Sequence, residues 1–258
     1  MKLIIIGGGK FGIKALEFAR NKKSRTILID KDPRCNAIQM VNKQYMDIKD
    51  LILDLDKLRK GKIFFLAQEK LNLFNLIKVF KPDYVIPVVP IHFMAMLISS
   101  ILMDYGQILI PNSFITKKFL NEIDSNLVFD SNLKAGIVLL SYAKKGEICP
   151  ENCSGPEKFC PNFNREKPRT ITQHLKNLFS SGLIEINIEV SKRIIIIINS
   201  KQLKSGLGGL KGSDLHEIFS ELEDVGELLE KNVLEIIVAT TCNCHGVINF
   251  FKTIKKAQ

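Results

Sequence analysis

A short β-branched run, Lys2 to Ile6, leads into the glycine turn Gly7-Gly8-Gly9-Lys10-Phe11-Gly12. An amphipathic stretch from Ile13 to Asn21, a second apolar run from Arg25 to Ile29, and then Asp30 follow directly. The order strand, G-x-G-x-x-G, helix, strand, acid constrains this chain more than any other feature, because each part fits only beside the others. Gly7 is placed for the tight turn, Gly9 for close approach of the backbone to a pyrophosphate, and Gly12 for close packing of helix on strand. The exposed amides at the helix start, those of Lys10 and Phe11 among them, would face phosphate oxygens. Asp30 lies eighteen residues after Gly12, where a carboxylate accepts hydrogen bonds from an adenosine ribose. A carboxylate there favours NAD(H), whereas Lys31 and Arg34 could pair with the 2′-phosphate of NADP(H), so both cofactors stay open. Asp32-Pro33 reads as an N-cap followed by proline, starting a helix to about Val41 with Cys35 in its first turn.

These residues, 2–12 and Thr26-Ile27-Leu28-Ile29-Asp30-Lys31-Asp32-Pro33, resemble the N-terminal nucleotide-binding domain of TrkA-type potassium-uptake regulators. More loosely they are similar to the NAD domains of saccharopine-dehydrogenase-like and siroheme-synthesis dehydrogenases. The resemblance covers about the first third of the chain and implies NAD(H) bound on a Rossmann fold. It carries no catalytic residue across, and the cysteine-rich remainder has no place in it.

Strands and helices keep alternating as far as a strand near 107–110, which implies a parallel sheet with ligands at the carboxyl ends of its strands. Residues 87–92 would lie at such an end, making His92 a candidate proton donor or acceptor. Twenty residues from Tyr84 to Met103 carry no formal charge and are long enough to span a bilayer. Pro87, Pro90 and His92 argue instead for a buried strand, a turn and a helix. Residues 113–134 read as a passage, so the expected organisation is a dinucleotide-binding domain over 1–112 and a cysteine-containing domain over 135–258. The fold class is α/β, a Rossmann-like parallel sheet followed by a smaller α/β domain with a cysteine-rich metal-binding loop. In the second domain a strand precedes that loop, a helix covers about 171–179, and two strands over 183–190 and 193–199 turn at Ser191-Lys192. A second glycine-rich loop offers Gly206, Gly208, Gly209 and Gly212 to an anion at the start of a helix over 214–231. A strand over 233–239 and a final helix from about Val247 complete the chain.

Thirty-seven Lys+Arg against 27 Asp+Glu give a net charge of +10. The basic residues are scattered lysines without an arginine cluster or a basic block, so a nucleic-acid partner is not expected. A small-molecule substrate or a redox partner protein is, and an oligomer is compatible with the sequence. The N-terminus lacks the apolar region and cleavage site of a secretory signal, which points to the cytoplasm, where clustered cysteines hold metal more often than they pair.

Five of the six cysteines fall in two groups. Cys149, Cys153 and Cys160 form a C-x3-C-x6-C set in a loop poor in hydrophobic residues, and Cys149 and Cys160 are each followed by proline. Such a loop is costly unless something ties it, and proline beside a ligand fixes the backbone as it does next to Fe–S cysteines. Cys242 or Cys244, 82 and 84 residues beyond Cys160, would supply the fourth ligand of a [4Fe–4S] cluster or, alternatively, of Zn2+. His245 could replace a thiolate or act as an acid/base. If the strands leading into the cysteine loop, the glycine loop and Cys242 run the same way, all three loops meet at one edge of a sheet. Together these features describe an NAD(P)-dependent oxidoreductase acting on an unidentified substrate, or alternatively a TrkA-like NAD(H)- and metal-sensing module without catalysis. Hydride carries two electrons and an Fe–S centre takes one, so the enzyme reading needs a substrate or a flavin between them, and the sequence shows no flavin signature.

Overall fold

The computed structural model of the chain describes residues 1–68, 73–187 and 192–256. In chain order the principal elements begin with β1 (Lys2–Ile6), α1 (Lys10–Asn21), β2 (Arg25–Asp30), β3 (Lys43–Tyr45), α2 (Ile48–Leu53), β4 (Ile63–Ala67), α3 (Phe74–Phe80) and β5 (Tyr84–Pro87). They continue with α4 (Phe93–Asp104), β6 (Gln107–Pro111), α5 (Ser113–Glu122), β7 (Val128–Asn132), β8 (Ile137–Ser141), β9 (Phe159–Cys160), β10 (Arg165–Glu166) and α6 (Ile171–Phe179). The remainder is β11 (Ile184–Asn187), β12 (Arg193–Asn199), β13 (Lys201–Lys204), β14 (Leu207–Lys211), α7 (Gly212–Asp224), α8 (Gly226–Lys231), β15 (Glu235–Thr241) and β16 (His245–Lys255). The turn expected at Ser191 lies outside the described residues, as do residues 188–190 of the strand before it. The chain divides into two compact units, one of residues 1–93 with 201–216, the other of residues 94–200 with 217–258.

In the first unit the strand order is β13-β14-β5-β1-β2-β4-β3. β1 pairs in parallel with β2 on one side and β5 on the other, and β4 continues the parallel set to β3. β14 joins β5 antiparallel, with β13 beyond it. Leu3, Ile4, Ile5 and Ile6 are all buried, which is why β1 reads as a continuous apolar run: a parallel strand covered on both faces has no solvent side. α1 lays Ala15, Leu16, Phe18 and Ala19 into the same core as Leu3, Ile5, Leu28 and Phe65.

The second unit is a mixed sheet, β11-β12-β15-β16-β8-β7, with β6 also paired to β16. β15 is parallel to β12 but antiparallel to β16, and β8 is antiparallel to β16. β8, β12 and β15 therefore run the same way and end at one edge. α5 and α6 cover one face, packing Phe119 and Leu175 onto Ile195, Ile237, Ile248 and Phe250.

The protein is thus a mixed α/β molecule with parallel and antiparallel strands, and it departs from the sequence expectations at several places. The strand at 107–111, expected to finish the first sheet, pairs with β16 in the second unit, and residues 113–134 form α5 and β7 there rather than a passage. The second unit is the larger. The final helix expected from Val247 is the strand β16: Val247, Ile248, Phe250, Phe251, Thr253 and Ile254 suit a pleated surface, and slots beside β15 and β8 receive them. Residues 32–41 do not form a helix. The Asp32 side chain accepts from the Arg34 amide, Ala37 donates to the Gly8 carbonyl, and only Ile38–Met40 makes a 3-10 turn. Among the described residues no helix is long and apolar enough to cross a membrane, α4 included.

Candidate functional site

The glycine turn of the first unit is set by contacts that admit no side chain. Gly7 has φ +108°, and a Cβ there would stand 2.9 Å from the Val88 carbonyl oxygen. A Cβ on Gly12 would collide with the Gly7 carbonyl, so the start of α1 lies directly on the turn. A Cβ on Gly8 would collide with the Cys35 thiol. Gly9 differs, since nothing lies within 4 Å of a Cβ added to it. Gly9 is the N-cap of α1 without a side-chain cap, and Lys10 and Phe11 beside it are exposed. Asp30 closes the turn from below: one carboxylate oxygen accepts the Gly8 amide at 2.5 Å and the other the Asp32 amide at 2.9 Å. Lys31 is exposed next to it. Cys35 is buried against this turn, and burial first, then the neighbouring Asp30, pushes its thiol pKa up, which describes a packing residue rather than a nucleophile.

His92 stands between the end of β5 and the start of α4, in the segment whose Val88 backs onto Gly7. The second glycine-rich stretch, expected as a loop, belongs to the β13-β14 hairpin that extends the first unit's sheet. Gly206 makes the turn at φ +70°, Gly208 and Gly209 pair with Gln202 and Lys201, and a Cβ on Gly212 would strike the Pro82 carbonyl. Chain reversal and close packing account for those positions.

The cysteines assemble in the second unit, at the edge where β8 and β15 end. β15 ends at Thr241, the chain turns through Cys242-Asn243-Cys244, and β16 starts at His245, whose carbonyl accepts from the Cys242 amide at 2.8 Å. β8 ends opposite His245, and its continuation carries Cys149, Cys153 and Cys160. The Cys149 sulfur lies 3.4 Å from His245 Nε2, and the Cys242 sulfur 3.9 Å from His245 Nδ1. Two stretches more than eighty residues apart are thus brought together around one imidazole. Asn243 donates to the Gly155 carbonyl at 2.9 Å, a second tie between the hairpin and the loop.

Donors surround the sulfurs. Cys153 accepts from the Gly155 amide at 3.3 Å and Asn162 Nδ2 at 3.7 Å, and Cys242 from the amides of Cys244 and His245 at 3.5 and 3.3 Å. Lys167 Nζ lies 2.9 Å from the Cys244 sulfur. Amide and ammonium donors of this kind favour sulfur in its thiolate form. The Cys149 thiol pKa is pushed up by burial and then by Cys153, Cys160, Cys244 and Cys242. Burial likewise pushes Cys244 up against the opposing effect of Lys167, while surrounding protein and then Lys167 push His245 down. No disulfide is formed among the described residues. Nor do any three described His, Cys, Asp or Glu side chains stand close enough to grip one metal ion, so the expected metal-binding loop is not preassembled for a single ion.

The loop itself is pinned by residues that sequence reasoning passed over. Arg165 makes two hydrogen bonds of 2.8 Å to Glu147 and another to the Tyr142 carbonyl, holding the far side of the loop to its beginning. That pairing holds the Glu147 carboxyl at about 2. The Tyr142 hydroxyl donates to the Arg169 carbonyl at 2.5 Å and sits 3.0 Å from His174 Nε2. Lys167 is 2% exposed, and the sequence signal for it was a lone lysine in Arg165-Glu166-Lys167-Pro168-Arg169, among neighbours that all read as solvated.

Two family models match the chain, one described as "Uncharacterized protein, N-terminal domain" over residues 1–93 and the other as "Uncharacterized protein, C-terminal domain" over residues 94–254. The chain belongs to the AF_1314_C family. The AF_1314_C segment contains Cys149, Cys153, Cys160, Cys242 and Cys244, and its first residue is also the first residue of the second compact unit. A relative from Archaeoglobus fulgidus, named "Uncharacterized protein", is 27% identical over 249 residues, spanning 96% of this chain and 98% of its own. No solved structure matches. These matches overturn the resemblance of residues 2–33 to TrkA-type domains, since the family recognised over residues 1–93 is a different one. Strand, glycine turn, helix, strand and acid are dictated by backbone geometry over some thirty residues, so a family can present them without sharing descent.

Proposed function

We propose that the chain is an NAD(P)-linked oxidoreductase of the AF_1314_C family, with a dinucleotide at the Gly7–Gly12 turn and a cysteine-ligated metal centre in the second unit. The observation that carries this reading is that the Cys149 and Cys242 sulfurs flank His245, with Cys153, Cys160 and Cys244 near enough to Cys149 to push its pKa up. A loop of this length with little regular structure gains from a tie, and the thiols with their N–H donors are chemically suited to one. Those three cysteines and one from the hairpin would hold the group. Four thiolates suit a [4Fe–4S] cluster or, alternatively, Zn2+. When bound, such a cluster supplies one-electron transfer.

In the first unit, support comes from the parallel order β5-β1-β2-β4, in which the chain passes from β1 to β2 on one side and returns from β4 to β5 on the other, as in a Rossmann-like sheet. Ligands of open parallel sheets lie at such a reversal, beyond the carboxyl ends of the strands. Gly9 leaves room for a phosphate and the first amides of α1 would donate to it. Asp30 holds the turn and keeps acceptor capacity for a ribose hydroxyl. His92 follows β5 at the same end of the sheet and is the candidate acid/base there; His245 holds that role at the cysteines.

The test is anaerobic oxidation of NADH and NADPH by the full chain with an added flavin, which takes the hydride's two electrons and passes them on singly, and a one-electron artificial acceptor. The reading expects turnover that depends on the cysteines and a weaker affinity for the nucleotide in Asp30→Ala. Nucleotide binding without turnover would mark a sensing role, and no binding at all would remove the dinucleotide from the account.

A further inference from the structure

Lys167 presents a charge that the fold alone does not explain. It is almost fully buried, at 2% exposure, and its ammonium donates to the Pro156 carbonyl and to the Cys244 sulfur, with the Tyr142 ring 6.0 Å away. Among the described residues no carboxylate forms an ion pair with it. A buried cation without an anion is costly, and sulfur is the one partner here able to carry negative charge. Cys244 is itself buried, at 8% exposure. Cys242 is half-buried and takes two amides from its own turn, an arrangement the hairpin accounts for by itself.

We infer that Lys167 is the counter-charge of the sulfur centre and that Cys244, the sulfur it touches, is the fourth ligand beside Cys149, Cys153 and Cys160. The inference rests on the cysteine-ligated centre proposed above. A cluster held by four thiolates carries net negative charge, and a fixed ammonium hydrogen-bonded to one buried ligand offsets it. Lys167 is then a positioning residue: it acts through Cys244, steadies the centre and raises its reduction potential by favouring the more negative, reduced state.

The experiment reconstitutes the full-length protein anaerobically with ferrous iron and sulfide, then measures iron, sulfide, retention against a chelator and reduction potential. Lys167→Gln, which keeps an N–H donor but no charge, is expected to hold iron about 10–100-fold less tightly and to show a lower potential, with Lys167→Arg restoring most of both. Cys244→Ser is expected to lose the cluster and Cys242→Ser to keep it. An unshifted potential and unchanged retention in Lys167→Gln would overturn the counter-charge role. Cluster loss in Cys242→Ser, alone or together with Cys244→Ser, would overturn the ligand assignment. Wild-type protein that takes up neither iron nor sulfide would instead contradict the metal centre itself, and this inference with it.

Discussion

The glycine turn and the cysteine loop reach a defined geometry by opposite means. In the first unit the backbone does the positioning: a positive φ at Gly7, a helix pressed onto the Gly7 carbonyl at Gly12, and amides capped by Asp30. All of it lies within thirty residues, and the turn is complete without a ligand. In the second unit the chain from Tyr142 to Lys167 has only the two-residue strands β9 and β10 as regular structure, and long side chains hold it. Arg165 returns to Glu147 and Tyr142, Lys167 reaches Cys244, and Asn243 reaches Gly155. A site fixed by backbone is stable by itself, whereas a site fixed by side chains around free thiols could gain order from a bound group.

Four outcomes sharpen or break that contrast. The largest is expected from Gly12→Ala, which sets a Cβ against the Gly7 carbonyl and should cost about 3 kcal/mol; a thermal midpoint close to wild type would show that the turn is not packed as described. Next, stripping iron and zinc should make residues 144–168 the first site of proteolysis while peptides from residues 1–93 stay protected. Equal cleavage of both units with and without chelator would end the distinction. Gly9→Ala should cost less than about 1 kcal/mol, because the space around it is open, yet weaken NADH binding in calorimetry. Lost stability with unchanged affinity would mean that Gly9 serves the fold and not a phosphate.

The smallest effect is expected at Asp54, whose carboxyl lies well below the ordinary carboxylate value of 3.8, held there by the Lys43, Lys57 and Tyr45 donors. A folded pKa below the unfolded one gives stability that is present above pH 3.8 and is lost as pH falls through and below it. Asp54→Asn should therefore narrow the difference in thermal midpoint between neutral and acid pH slightly, and a large change at neutral pH would show that charge pairing matters more in this unit than backbone does.

The same contrast explains what could be read from the sequence. Residues 2–30 could be followed almost element by element, because apolar runs buried on both faces and glycines with a steric duty leave local marks. The family model that matches that stretch could not be foreseen, since the marks record local geometry. Long-range pairing was likewise hidden. Nothing local assigns Gln107–Pro111 to β16, turns the stretch around Gly208 and Gly209 into an edge of the first sheet, or makes His245–Lys255 a strand. The cysteines were legible as two groups, and the shared direction of β8, β12 and β15 brings the two groups to one edge. Lys167 was not legible, because its partners lie far along the chain, Cys244 77 residues away.

The metal content of the full chain, purified without oxygen, bears most directly on the central claim that the second unit holds a cysteine-ligated centre. The account predicts about four iron and four sulfide per chain, lost when Cys149, Cys153 or Cys160 is replaced by serine. Protein that carries neither iron nor zinc, and whose Cys149, Cys153 and Cys242 react freely with a thiol reagent in the folded state, would contradict it.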